Sequence, residues 1–287
     1  MRVPLAGGTQ ETLLSEVGPV LLPFFTTRDA CALRLVCREF LAAAREHPWE
    51  DRGTVIHGSI AAWRVCFPRA RCANVGRASL VYGAEVRKAR VYDADFVHFA
   101  GLRELNMADC VDVTDAAFMH LRGIHALEMF GCSRLTDAAF AHLAGIQRLG
   151  MFYCRGITDA AFVHLYGIQL LNIMYCHQLT DAVFVHLHGI KTLFMEGCNQ
   201  PAITDAAFVH LRGIRTLSLD YCSRVTITGA TFSSLAGIEV LCLRGFSAES
   251  VAAARALGLP VPADGLSTLG GHACAFYPWP KPLAAPW

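Results

Sequence analysis

Six cysteines and six histidines recur in step along this chain, and both residue types can do chemistry. Cys110, Cys132, Cys154, Cys176 and Cys198 follow one another at intervals of 22 residues, and Cys222 comes 24 later. His98, His120, His142, His164 and His186 keep the same interval, with His210 again 24 on. Such rows raise the question of disulfides or a metal centre. A metal needs ligands converging to within ~2 Å of one point, whereas equivalent side chains on stacked helices sit ~8–10 Å apart and point in parallel. Cysteines on neighbouring strands would approach to ~4.8 Å, inside the disulfide range, but their parallel orientation means that pairing would distort the stack. The expectation is buried thiols that pack and make weak hydrogen bonds to loop backbone, beside a structural row of histidines. Cys66, Cys72 and His57, or Cys274 and His272, lack the paired spacing of a zinc knuckle. No metal and no cofactor are expected. GxSxG, HExxH and P-loop motifs are also missing, so the sequence offers no enzyme.

A repeat imposes this spacing. Between Leu105 and Phe246 the chain writes TDAAFxHL, a Gly, then LxMxxC in near-identical copies. Fixed self-similarity of this period means a solenoid of small stacked units. In the copy Ile146–Leu165, Leu149 and Met151 point one way from a short strand while Arg148, Gly150 and Phe152 point the other. Thr158 reads as a helix N-cap, and Asp159 falls in the first turn, where the helix dipole favours a carboxylate. Phe162 and Leu165 lie three apart and face the strand. Gly167 is a left-handed stop. One unit exposes its apolar face, and neighbours on both sides bury it.

The runs Ile124–Cys132, Ile146–Cys154, Ile168–Cys176, Ile190–Cys198 and Ile214–Cys222, each leading to I/L-T-D or its variant, resemble the cysteine-containing leucine-rich-repeat family. The resemblance covers about residues 91–247, and its units are shorter than that family's usual repeat. It implies an α/β leucine-rich-repeat solenoid, a horseshoe with a parallel inner sheet and outer helices. Residues 91–258 form that solenoid in this reading, ending in an amphipathic cap helix. Residues 51–90 are a linker with degraded repeats, and 259–287 a proline-rich tail.

Residues 11–50 carry no repeat. After a flexible segment, 1–10, helical spacing of Leu13, Leu14, Val17, Val20 and Leu21 gives way to a second pattern through Asp29, Leu33 and Val36, then a third from Phe40. About forty residues are too few for a good core, so this unit needs a partner surface. The stretch resembles an F-box, most distinctively in Val36-Cys37-Arg38-x-Phe40, with Leu13, Glu16, Val17, Leu21, Leu22, Phe24, Asp29 and Leu33 also matching. It departs at Leu14, at Gly18, and at Pro19 and Pro23, which interrupt the first helix. The resemblance implies that Leu13, Leu14, Val17, Leu21, Leu33, Val36, Cys37 and Phe40 bind a Skp-type adaptor, and through it a cullin.

Composition narrows the rest. Apolar residues make up 54% of the chain, yet no uninterrupted apolar run approaches the ~18–20 residues of a membrane span. The N-terminus lacks the apolar stretch of a signal peptide. A net charge of +1 argues against bulk electrostatic attraction to nucleic acid or membrane. Twelve cysteines without a signal peptide point to a reducing compartment, cytoplasmic or nuclear. Seven basic side chains between 60 and 90, among them Arg64, Arg69 and Arg71, read as a solvated outer face.

Function should sit where the repeats differ, on the outward strand positions: Glu128, Phe130, Arg148, Phe152, Asn172, Met174, Phe194, Glu196 and Asp220. Phe130, Phe152, Met174 and Phe194 fall at equivalent or near-equivalent places and predict an apolar stripe flanked by acids. Aromatics rimmed by charge are what protein interfaces use as anchors. The expected partner is an unidentified target protein offering an apolar segment beside basic residues. The two resemblances taken together imply the non-catalytic substrate-recognition subunit of an SCF-type ubiquitin ligase. The alternative is a plain binding scaffold whose N-terminal helices only cap the solenoid.

Overall fold

Each repeat gives the sheet three residues, a central apolar residue facing inward between two outward positions, before the chain turns. In the computed structural model, which describes residues 22, 25–33, 38–52, 54–56, 58–76, 90–222 and 226–261, these triplets are β1 (Cys72–Asn74), β2 (Glu104–Asn106), β3 (Ala126–Glu128), β4 (Arg148–Gly150), β5 (Leu170–Asn172), β6 (Thr192–Phe194), β7 (Thr216–Ser218) and β8 (Val240–Cys242). All pair in parallel and in chain order. The register never slips: Leu105, Leu127, Leu149, Leu171, Leu193, Leu217 and Leu241 face one another across successive strands, each no more than 2% exposed. This is the α/β repeat solenoid that the sequence predicts.

The outer layer differs from the expected α-helices. Asp93–Phe99, Asp115–Leu121, Asp137–His142, Asp159–His164, Asp181–His186, Asp205–His210 and Phe232–Leu235 are 3₁₀-helices, closed by bonds such as Leu165 N–H to the Phe162 carbonyl at 3.0 Å. A 3₁₀-helix has 3.0 residues per turn, so residues three apart eclipse, and it rises about 2.0 Å per residue instead of 1.5. Phe162 and Leu165 therefore both point straight inward, and six residues span what a 22-residue unit leaves for its outer wall. Phe96, Phe118, Phe140, Phe162, Phe184, Phe208 and Phe232 are all fully buried, forming a spine down the stack.

The threonine and aspartate that open each helix do more than cap it. Thr158 Oγ1 accepts from Ala160 N–H at 3.4 Å, as an N-cap should. Asp159, however, reaches across to the next unit: its carboxylate accepts from Thr180 N–H at 2.9 Å and from Thr180 Oγ1–H at 2.6 Å. The same two-pronged contact joins Asp93 to Thr114, Asp115 to Thr136, Asp137 to Thr158, Asp181 to Thr204 and Asp205 to Thr228. The aspartate is thus a cross-repeat staple before it is a partner for the helix dipole. Bonds to a charged acceptor contribute about 1.5–3 kcal/mol when buried, and these are partly solvated. Asp159→Ala is expected to lower unfolding free energy by about 1–2 kcal/mol, read by urea denaturation, with Asp159→Asn retaining part of the contact.

At the N-terminal end the core continues without a break. α1 (Thr27–Leu33) and α2 (Arg38–Glu46) precede Trp49, which is 1% exposed. Its indole N–H donates to the Ala44 carbonyl at 2.6 Å, and its ring meets Phe67 edge-on at 5.5 Å. The Trp49 carbonyl accepts from Arg71 N–H and Cys72 N–H at the edge of β1. Ala30, Ala44, Trp49, Ile56, Ile60 and Trp63 share one buried cluster with the repeats. α3 (Ile60–Cys66) and β1 lie in the segment read above as linker. At the other end α4 (Ala248–Ala256), capped by Ser247, buries Ala254 in the same cluster. Among the described residues no helix is long and apolar enough to cross a membrane.

Of the expected adaptor-binding side chains, Leu13, Leu14, Val17, Leu21, Val36 and Cys37 lie outside the described residues. Leu33 ends α1 and Phe40 lies within α2.

Candidate partner-binding face

Beside the first strand residues, which include Glu104 and Arg148, the open face of the sheet carries two rows of variable side chains. One is the last residue of each strand: Asn74, Asn106, Glu128, Gly150, Asn172, Phe194, Ser218 and Cys242, aligned by the ladder. Two positions on lies a second row: Ala108, Phe130, Phe152, Met174, Glu196, Asp220 and Arg244. Phe194 therefore aligns with Asn172, and Glu196 takes the place equivalent to Met174. The single apolar stripe predicted from the sequence resolves into an aromatic half and an acidic half of one row. Met174 and Phe194 are only 6% and 8% exposed, which leaves Phe130 and Phe152 as the more accessible pair of the four.

The aromatic half is larger than the sequence indicated. Phe130 and Phe152 stand 4.7 Å apart at 30°. Phe152 meets Tyr153 and Tyr175 edge-on at 5.0 and 5.4 Å, and Tyr153 stacks on Tyr175 at 5.4 Å. Arg155 lies over the Tyr153 ring at 5.2 Å. Both tyrosines, with Tyr221, hold φ between +55° and +61°, a left-handed conformation costing on the order of 1–3 kcal/mol in a side chain of this size. Equivalent positions hold Gly131, Gly197 and Gly245, also at positive φ. A side chain on Gly197 would collide with the Tyr175 ring, so that glycine makes room for its neighbour's aromatic. Sequence reading missed these tyrosines. The available signal was glycine at the residue before Cys132, Cys198 and Phe246, which marks the place as left-handed.

The acids and bases of this face are mostly spoken for. Glu104 binds Arg52 at 2.5 Å and Arg148 at 2.6 Å. Glu196, 6% exposed, accepts from Ser218 Oγ–H at 2.8 Å. Asp220, 2% exposed, accepts from Arg244 N–H at 2.7 Å. Asn172 Oδ1 accepts from Met174 N–H at 3.0 Å. Burial raises the Tyr175 hydroxyl above its usual value, with Glu196 adding to the effect.

The regular cysteines lie behind this face. Cys132, Cys154, Cys176, Cys198 and Cys222 point their thiols at the carbonyls of Met107, Met129, Met151, Ile173 and Met195, one repeat earlier, at 2.8–3.3 Å. Cys72, Cys154, Cys176, Cys198, Cys222 and Cys242 are free thiols. Burial pushes Cys176 and Cys222 up to about 12, and Cys154 and Cys198 well above the usual thiol range. The histidine row is half-buried on the outer wall, where Arg122 Nε–H donates to His142 Nδ1 at 3.3 Å. Among the described residues no three metal-binding side chains gather. Arg64 donates to the Ala70 and Ala100 carbonyls, while Arg69 and Arg71 pair with Glu46 and Glu50.

This architecture is the leucine-rich-repeat fold. Over 74% of its length the chain superposes on 33% of the TLR13 chain from the TLR13–ssRNA13 complex, at 16% identity and a TM-score of 0.51. It thus spans about a third of that protein. The leucine-rich-repeat domain of the type III effector XopL matches 96% of the chain over its whole length, at 16% identity and a TM-score of 0.47. No family model and no curated protein matches the sequence.

Proposed function

We propose that the chain is a non-catalytic protein-binding receptor: the open sheet face holds a target protein, and residues 11–50 tether it to a Skp-type adaptor of a cullin-based ubiquitin ligase. The first half is supported by one observation above the others. Tyr153 and Tyr175, kept in left-handed backbone beside a phenylalanine pair, are costly to maintain, and strain of this kind collects at binding sites. Aromatics are also the residue type that anchors interfaces. The second half is supported by the F-box-like run around Val36–Phe40.

Trp49 favours a second reading, in which the N-terminal helices serve as the solenoid's cap. Its burial against β1 means that truncation at residue 50 would uncap the first repeat, so the informative cut lies earlier. The full chain and a form lacking residues 1–21, which keeps the buried Leu22, are each co-expressed with the adaptor. Stoichiometric adaptor on the full chain, lost on truncation while the thermal melt stays within a few degrees, is the expected result. Failure of the full, folded chain to retain adaptor overturns the ligase assignment and leaves a capped binding scaffold.

A further inference from the structure

Glu128 stands apart from the other acids of the open face. Glu104 has two guanidinium groups, Glu196 a serine hydroxyl and Asp220 a backbone N–H. No described residue donates a hydrogen bond to Glu128. Its carboxyl group lies across the Cα of Gly150, where any side chain would displace it, and burial alone raises its pKa to about 7. A carboxylate so largely desolvated, and without a donor among the described residues, is unfavourable. Two residues along the same strand direction, Phe130 begins the ring pair with Phe152.

We propose that Glu128, seated over Gly150 beside the Phe130–Phe152 rings, receives an arginine side chain of the partner protein. The inference rests on the open face being the partner surface. A guanidinium is planar, forks onto a carboxylate through two N–H bonds, and stacks on aromatic faces. The face already shows that chemistry once, where Arg52 and Arg148 close on Glu104. The Glu128 site has the acceptor and the rings, and no cation closes on it among the described residues.

Acetyl-arginine amide is the probe, with acetyl-citrulline amide as its uncharged isostere, titrated into the full chain while the Phe130 and Phe152 ring resonances are followed. The arginine probe is expected to shift those rings at least tenfold more tightly than citrulline. Glu128→Gln should abolish the difference. Gly150→Ala, which moves only the end of a flexible side chain, should weaken the arginine probe at least fivefold in a protein that still folds. Only ionised Glu128 pairs with a cation, so affinity should fall about 30-fold from pH 8 to pH 5.5 for a group titrating near 7, and stay flat in Glu128→Gln. The neighbouring charges, Glu104 with Arg52 and Arg148 and the Cys154 thiol beneath, are the same in both proteins. Equal shifts by citrulline and arginine, or an unaltered preference in Glu128→Gln, would overturn the site. Ring shifts with both probes would still mark the face as a binding surface, and adaptor capture is read separately, so the two proposals fail independently.

Discussion

Raising the pH from 8 to 10 under reducing conditions is expected to unfold this protein. Burial holds Cys72 and Cys242 up to about 11 and Cys176 and Cys222 up to about 12, with Cys154 and Cys198 raised as well. In the unfolded chain a thiol titrates near ~8.5. Below that pH both states are protonated and stability is intact. Above it the unfolded state sheds protons that the folded state keeps, so stability falls until the folded values near 11–12 are reached. Each thiol contributes a slope of about 1 kcal/mol per pH unit, and six together remove on the order of 10 kcal/mol by pH 10. That matches the entire stability of a typical domain, ~5–15 kcal/mol. Urea midpoints at pH 8, 9 and 10 measure the slope directly. Cys154→Ser with Cys176→Ser keeps a hydroxyl donor and removes two titrating groups, so the slope should drop by about a third. Stability unchanged between pH 8 and 10 would show that the thiols ionise without resistance from the fold.

Phe162→Ala is expected to cost about 3–5 kcal/mol, the range for emptying a fully buried phenylalanine site, and to lower the melting temperature by roughly 10 °C. Phe162 is fully buried between the equivalent Phe140 and Phe184. Its unit is near the middle of a stack in which each repeat touches only its neighbours, so weakening it separates the two halves. Calorimetry should show a broadened or split transition as well as a lower one. Val163 is the control: one residue along and 53% exposed, its change to Ala should stay within about 0.5 kcal/mol. A Phe162→Ala protein melting like Val163→Ala would mean that the spine does not couple the repeats.

Much of this was legible because a repeat multiplies every signal. Leu149 and Met151 inward, Thr158 as N-cap and Gly167 as a stop recur in each copy, and the structure places them so: Leu149 and Met151 are fully buried, and Gly167 has φ of +83°. Thiols packed and bonded to backbone carbonyls also follow the sequence reading. The outer helix type was less legible, since Phe162 and Leu165 three apart fit one face of either helix, and the length left between strands settles it as 3₁₀. The role of Asp159 was hidden because its partner, Thr180, lies 21 residues away.

The sequence by itself determined the unit, its period and the single core, because apolar periodicity is local and stacking identical units admits one register. Tertiary structure decided which side chains of the open face find partners. Glu104 and Glu128 are similar acids in adjacent strands, yet one is closed by Arg52 and Arg148 and the other has no donor among the described residues. The difference depends on where arginines 52 and 44 residues away come to rest, and on a glycine at position 150 that lets a carboxyl group lie against the backbone. Neither is written in the repeat, because both are distances between units.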